Sequence, residues 1–106
     1  SNLIYFNVEY VREVIVNRAR QQKPPPRLIV LDLSAAPYVD LQSVHTLASL
    51  ADELQSAGIR FQAVEARSAV RERLRREGVD ARLGSVDRYT SVADVVENFQ
   101  NETRGT

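Results

Sequence analysis

Apolar and polar residues follow two different periods along this chain, and the switches between them mark out its elements. Leu3-Ile4-Tyr5-Phe6 is a short apolar run of β-branched and aromatic character, which predicts a buried strand. Asn7 follows as a helix cap, with Glu9 in the first turn where the helix dipole favours an acid. Val8, Val11, Val14, Ile15 and Ala19 recur at helical spacing and form one apolar stripe. Lys23-Pro24-Pro25-Pro26 stops that helix, because proline has no amide to donate. The segment 27–33 reads as the central strand, and its apolar run predicts burial on both faces. A loop over 34–40 leads to Asp40, the cap of a second helix that carries Val44, Leu47, Ala48, Ala51 and Leu54 and stops at Gly58. The segment 59–64 alternates as a strand with one covered face. Ser68 is the expected cap of a third helix, thin in apolar residues (Ala69, Val70, Leu74) and ended by Gly78. A short strand is expected over 86–89. Ser91 and Asp94 then match a capping box opening a last helix with Val92, Val95, Val96 and Phe99 inward, and a polar tail over 100–106 is expected to fray.

Strands alternating with helices imply an α/β fold with a mainly parallel sheet and right-handed crossovers. The 106 residues suit one domain, expected over 3–106, with Ser1-Asn2 read as a cloning remnant. Fourteen basic residues balance fourteen acidic ones, so no global field draws the chain to nucleic acid. The absence of Cys excludes disulfides, thiolate nucleophiles and thiolate metal sites. No apolar run is long enough to span a bilayer.

Catalytic chemistry finds little to work with. His45 is the only His, so no His cluster for zinc can form, and neither a metal nor a cofactor is expected. Ser43, His45 and Asp40 could be written as a triad, but residues so close in one helical turn seldom converge on one atom. Four dispersed glycines build no phosphate loop. Arg67, Arg71 and Arg75 share a predicted helix face. They read first as a solvated face relieved by Glu72 and Glu77, and alternatively as a docking face for an acidic partner or anionic head groups. The loop after the central strand is the most informative place, since partners of open parallel sheets meet the carboxyl ends of strands. Ser34, Asp40, Leu41, Gln42 and Ser43 lie there, and an ordinary Asp-capped turn explains them equally well.

At this loop the sequence resembles the STAS domain, shared by SulP-family anion transporters and bacterial anti-sigma-factor antagonists. The resemblance rests on Leu-Asp-Leu-Ser at 31–34, Pro37-Tyr38-Val39-Asp40, and a helix ending in Ala57-Gly58-Ile59. Leu-Ile-Tyr-Phe-Asn at 3–7, the segment 70–74 with Gly78, and the last helix look like the transporter branch. It implies a mainly parallel sheet flanked by about four helices, with the family's first strand missing before Leu3. It also implies a non-catalytic regulatory and protein-interaction domain on the cytoplasmic side of the inner (plasma) membrane, hanging from a transporter of sulfate or similar anions. The implied partners are the membrane-embedded part of the parent chain, a regulatory protein, and a second copy pairing at the exposed strand edge. The alternative is a free-standing antagonist-like signalling protein. Antagonists carry a phosphorylatable Ser directly after the Asp, where this chain has Leu41, which speaks against that reading. A small-molecule sensor is a third class, unsupported by any phosphate motif. Leu41 itself is expected either to face a partner or to tuck against the sheet.

Overall fold

In the computed structural model, which describes residues 7–84, 86–87 and 90–104, the chain runs α1 (Val8–Gln21), β1 (Leu28–Asp32), α2 (Leu41–Ser56), β2 (Arg60–Val64), α3 (Ser68–Arg76), a 3-10 turn (Asp80–Leu83) and α4 (Val92–Arg104). The expected strand at Leu3–Phe6 lies outside the described residues, as do Arg88 and Tyr89 of the expected strand at 86–89. Val86 and Asp87 are in irregular backbone.

Local signals start and stop the helices as the sequence predicts. Asn7 Oδ1 accepts from the Tyr10 amide at 3.1 Å and opens α1. Ser91 and Asp94 close the capping box in both directions, each amide donating to the other's side chain at 3.1 Å. Both α2 and α3 end in a glycine with positive φ, Gly58 at +76° and Gly78 at +70°. In each case the glycine amide and the following amide turn back onto the last helical carbonyls: Gly58 to Gln55 and Ile59 to Leu54, Gly78 to Arg75 and Val79 to Leu74. Ile59, Leu54, Val79 and Leu74 are all buried, so each turn also closes an apolar contact.

β1 and β2 are parallel, with Leu28 opposite Arg60 and Asp32 opposite Val64, and the Leu33 amide extends the pairing to the Val64 carbonyl. The α2 crossover between them uses the apolar stripe in full: Val44, Leu47 and Leu50 are wholly buried and Leu54 nearly so. Side chains alternate across the sheet. Leu31, Phe61 and Ala63 enter the main core, whereas Leu28, Arg60 and Gln62 face α4. Helix α4 is fastened there by buried Val95, by the Arg27 guanidinium 5.7 Å from the Phe99 ring centroid, and by an Arg60–Glu102 ion pair.

Three expectations are corrected. Leu28, Ile29 and Val30 are only half-buried and Asp32 is exposed, so Leu31 alone of β1 is buried and the strand is not covered on both faces. On α4, Val92 and Val96 are exposed, leaving Val95 and Phe99 as its inward pair. The helix also continues through the polar stretch to Arg104, with the Thr103 hydroxyl donating to the Phe99 and Gln100 carbonyls.

Candidate interaction site

The carboxyl ends of both strands open into loops that meet each other. After β1 the chain turns sharply: the Ser34 amide donates to Asp32 Oδ1 at 2.8 Å and the Ala36 amide to the Leu33 carbonyl at 3.0 Å. Leu33, Ala36 and Val39 point into the core. That alternation forces their neighbours outward, and Tyr38 is 69% exposed.

Asp40 then caps α2, its Oδ1 accepting from the Ser43 amide at 2.7 Å. The Asp40 carboxyl is held below its ordinary value of 3.8, first by that amide, then by the Ser43 hydroxyl, with a smaller contribution from the positive charge of Arg73. Leu41 is 42% exposed, so of its two expected placements it takes the outward one. Gln42 is exposed beside it and Ser43 is half-buried at the cap. His45 lies on the exposed side of α2. The structure thus joins Asp40 with Ser43 as a cap and leaves His45 apart from them. Among the described residues no group of His, Cys, Asp or Glu is placed to hold a metal ion, and no helix is long and apolar enough to cross a membrane.

The three arginines of the predicted helix face are divided among other tasks. Arg67, not Ser68, is the N-cap of α3, in extended backbone, and its side chain makes no capping bond. Its Nε instead donates to the Ser34 carbonyl at 2.9 Å. Arg71 is half-buried and its Nη1 donates to the Ala66 carbonyl at 2.6 Å. Only Arg75 projects as a free exposed charge. A continuous Arg67–Arg71–Arg75 stripe is therefore not formed, because the first arginine lies outside the helix and the first two serve backbone carbonyls.

Sequence reasoning missed two contributors to this site. Glu65 adopts φ +56°, which turns the chain after β2 and buries Ala66. An L-residue rarely takes this conformation, and nothing in the local sequence announces it. Arg73, the second, lies outside the predicted arginine face, and its charge contributes to lowering the Asp40 carboxyl. Its enclosed Nε lies 3.6 Å from Glu77 Oε1, an ion pair too long for a hydrogen bond. The apolar hollow of about 280 Å³ bordered by Val16, Pro25, Leu54 and Ile59 lies at the other, amino end of the strands.

A parallel pair of strands with an Asp-capped loop at its carboxyl end defines an α/β class that many proteins share, and the comparisons with known proteins narrow it. The STAS domain model matches residues 1–95, and the chain belongs to the STAS domain family. The murine Solute Carrier 26 family member A9 (Slc26a9) anion transporter, solved in its inward-facing state, shares the fold with a TM-score of 0.74 at 24% identity; the match covers 92% of this chain and 16% of that one. The STAS domain of a SulP transporter from Vibrio cholerae superposes with a TM-score of 0.72 at 19% identity, over 93% of this chain and 74% of that one. A structure of SLC26A9 gives 0.66 at 22% identity, over 92% of this chain and 18% of that one. The chain thus spans less than a fifth of the two transporter chains it resembles. No curated protein sequence matches it significantly.

Proposed function

We propose that this STAS domain is a non-catalytic regulatory and protein-interaction module of a SulP-type anion transporter, one domain over residues 3–106, working on the cytoplasmic side of the membrane. The observation that carries the reading is the pair of exposed apolar side chains, Tyr38 and Leu41, set on either side of the Asp40 cap. Apolar groups held outward on an ordered loop gain free energy when a partner removes them from water. The partner is the membrane-embedded part of the parent chain, with a regulatory protein sharing the same loop. The likeness to two transporter structures and a transporter STAS domain supports this context. Leu41 supports permanent docking over a phosphate switch, because it has no hydroxyl to modify.

The test places a photo-reactive amino acid at position 38 or 41 in the full-length parent protein in membranes. The expected product is an adduct with the membrane-embedded part, and Leu41→Asp should weaken that association about tenfold, as loss of a central apolar contact does. Adducts absent at both positions, or an association indifferent to Leu41→Asp, would remove the proposal. Self-association of the domain belongs to the same reading.

A further inference from the structure

The docking loop is fastened at both ends by its own segment, at Asp32 and at Asp40. Between them, among the described residues, one hydrogen bond reaches residues 34–39 from another part of the chain: Arg67 Nε to the Ser34 carbonyl, across a separation of 33 positions. We propose that Arg67 is the positioning residue of this loop, a brace by which α3 sets the presentation of Tyr38 and Leu41. The proposal rests on the docking reading for its purpose, but its test does not depend on it.

The brace is built rather than incidental. A surface arginine ordinarily points its charge at water. Arg67 is held in place by what precedes and follows it. Glu65, at φ +56°, bends the chain; Ala66 is 2% exposed and locks that bend into the core; Arg71 holds the Ala66 carbonyl at 2.6 Å. Arg67 then leaves α3 at its N-cap, with φ −66° and ψ 160°, aimed back at β1. The acceptor is also held, since the Ser34 carbonyl lies inside the turn that the Ala36 amide closes on the Leu33 carbonyl.

Amide hydrogen exchange on the isolated chain, resolved by residue, tests this. The Ser34 and Ala36 amides report the loop; the Leu33 amide, bonded to the Val64 carbonyl, reports the end of the sheet. In Arg67→Ala, exchange at Ser34 and Ala36 should rise about tenfold, the effect of losing one charge-assisted hydrogen bond, while Leu33 stays unchanged. Arg67→Lys keeps a donor and should restore part of the protection. Arg75→Ala, exposed on the same helix and without a bond to the loop, should leave Ser34 at its wild-type rate. Unchanged exchange at Ser34 and Ala36 in Arg67→Ala would overturn the proposal, as would a rise shared equally by Leu33. These outcomes are independent of any partner, so a loop that loses its brace yet never docks sinks the functional reading and leaves this one standing.

Discussion

At Asp40 the carboxylate accepts from the Ser43 amide at 2.7 Å, and the Ser43 hydroxyl and the Arg73 charge add smaller contributions in the same direction. All three favour the ionised form, so the folded-state value lies below the 3.8 of the unfolded chain. The sign follows from linkage. A depressed carboxyl contributes stability that is fully present above its unfolded value and is lost as pH falls through the folded one. Asp40→Asn retains a good capping oxygen but cannot ionise. The wild type should therefore melt above Asp40→Asn at neutral pH, and the two melting temperatures should converge on acidification through and below the ordinary carboxylate range. A gap that stays constant with pH would show that the charge contributes nothing. Single residues also mark the limit of what the sequence discloses. The Asp40, Asn7 and Ser91–Asp94 caps were legible because donor and acceptor lie within three positions of each other. Arg67 was misassigned to a solvated stripe because its acceptor is 33 positions away, a pairing that only the finished fold creates.

Helices α2 and α3 both end through a left-handed glycine, and both endings matter because strand β2 and the 3-10 turn start directly after them. Gly78 has open space where a Cβ would stand, so Gly78→Ala tests backbone conformation without a clash. Holding an L-residue at φ +70° costs about 1 kcal/mol, and unfolding in urea should show a lower midpoint with an unchanged slope. An unaltered midpoint would mean that the turn reshapes freely and that Val79 is not pinned through Leu74. Most elements could be placed from the sequence because amphipathic period and terminators agreed: the α2 stripe, the Gly58 and Gly78 stops and the 59–64 strand all appear. Helix α4 was the harder case. Four apolar residues suggested a broad inner face, but the half-buried sheet beneath offers room for Val95 and Phe99 only, and Val92 and Val96 remain outside. Its polar C-terminal turn was unreadable as helix because its support is tertiary, with Glu102 reaching Arg60 on β2.

Considered whole, the chain has no net charge to keep copies apart, since fourteen basic residues offset fourteen acidic ones. Two surfaces then compete to join a second copy: the Tyr38–Leu41 loop and the outer margin of β1. Among the described residues β1 bonds only to β2, and its other margin is a strand edge. A groove of about 330 Å³ follows this margin, lined by Leu28, Ile29 and Val30 from the strand and by Val14 and Ile15 from α1. Three successive strand residues point to alternate faces, so a groove touching all of them traces the edge and not a face. An edge supplies a row of main-chain hydrogen bonds together with half-buried apolar side chains, whereas the loop supplies two exposed side chains. Edge pairing should therefore be the stronger contact. Sedimentation velocity across a concentration series is expected to show a dimer that grows with concentration. Val30→Lys, which puts a charge on the margin, should shift the protein to monomer, while Leu41→Asp should leave the dimer intact. Circular dichroism on Val30→Lys is the check that the fold survives the charge. A monomer at every concentration would exclude edge pairing, and a dimer abolished by Leu41→Asp but not by Val30→Lys would reassign self-association to the loop. In that event the loop could not serve a second copy and the parent transporter at once, and one of those two partners would have to be surrendered.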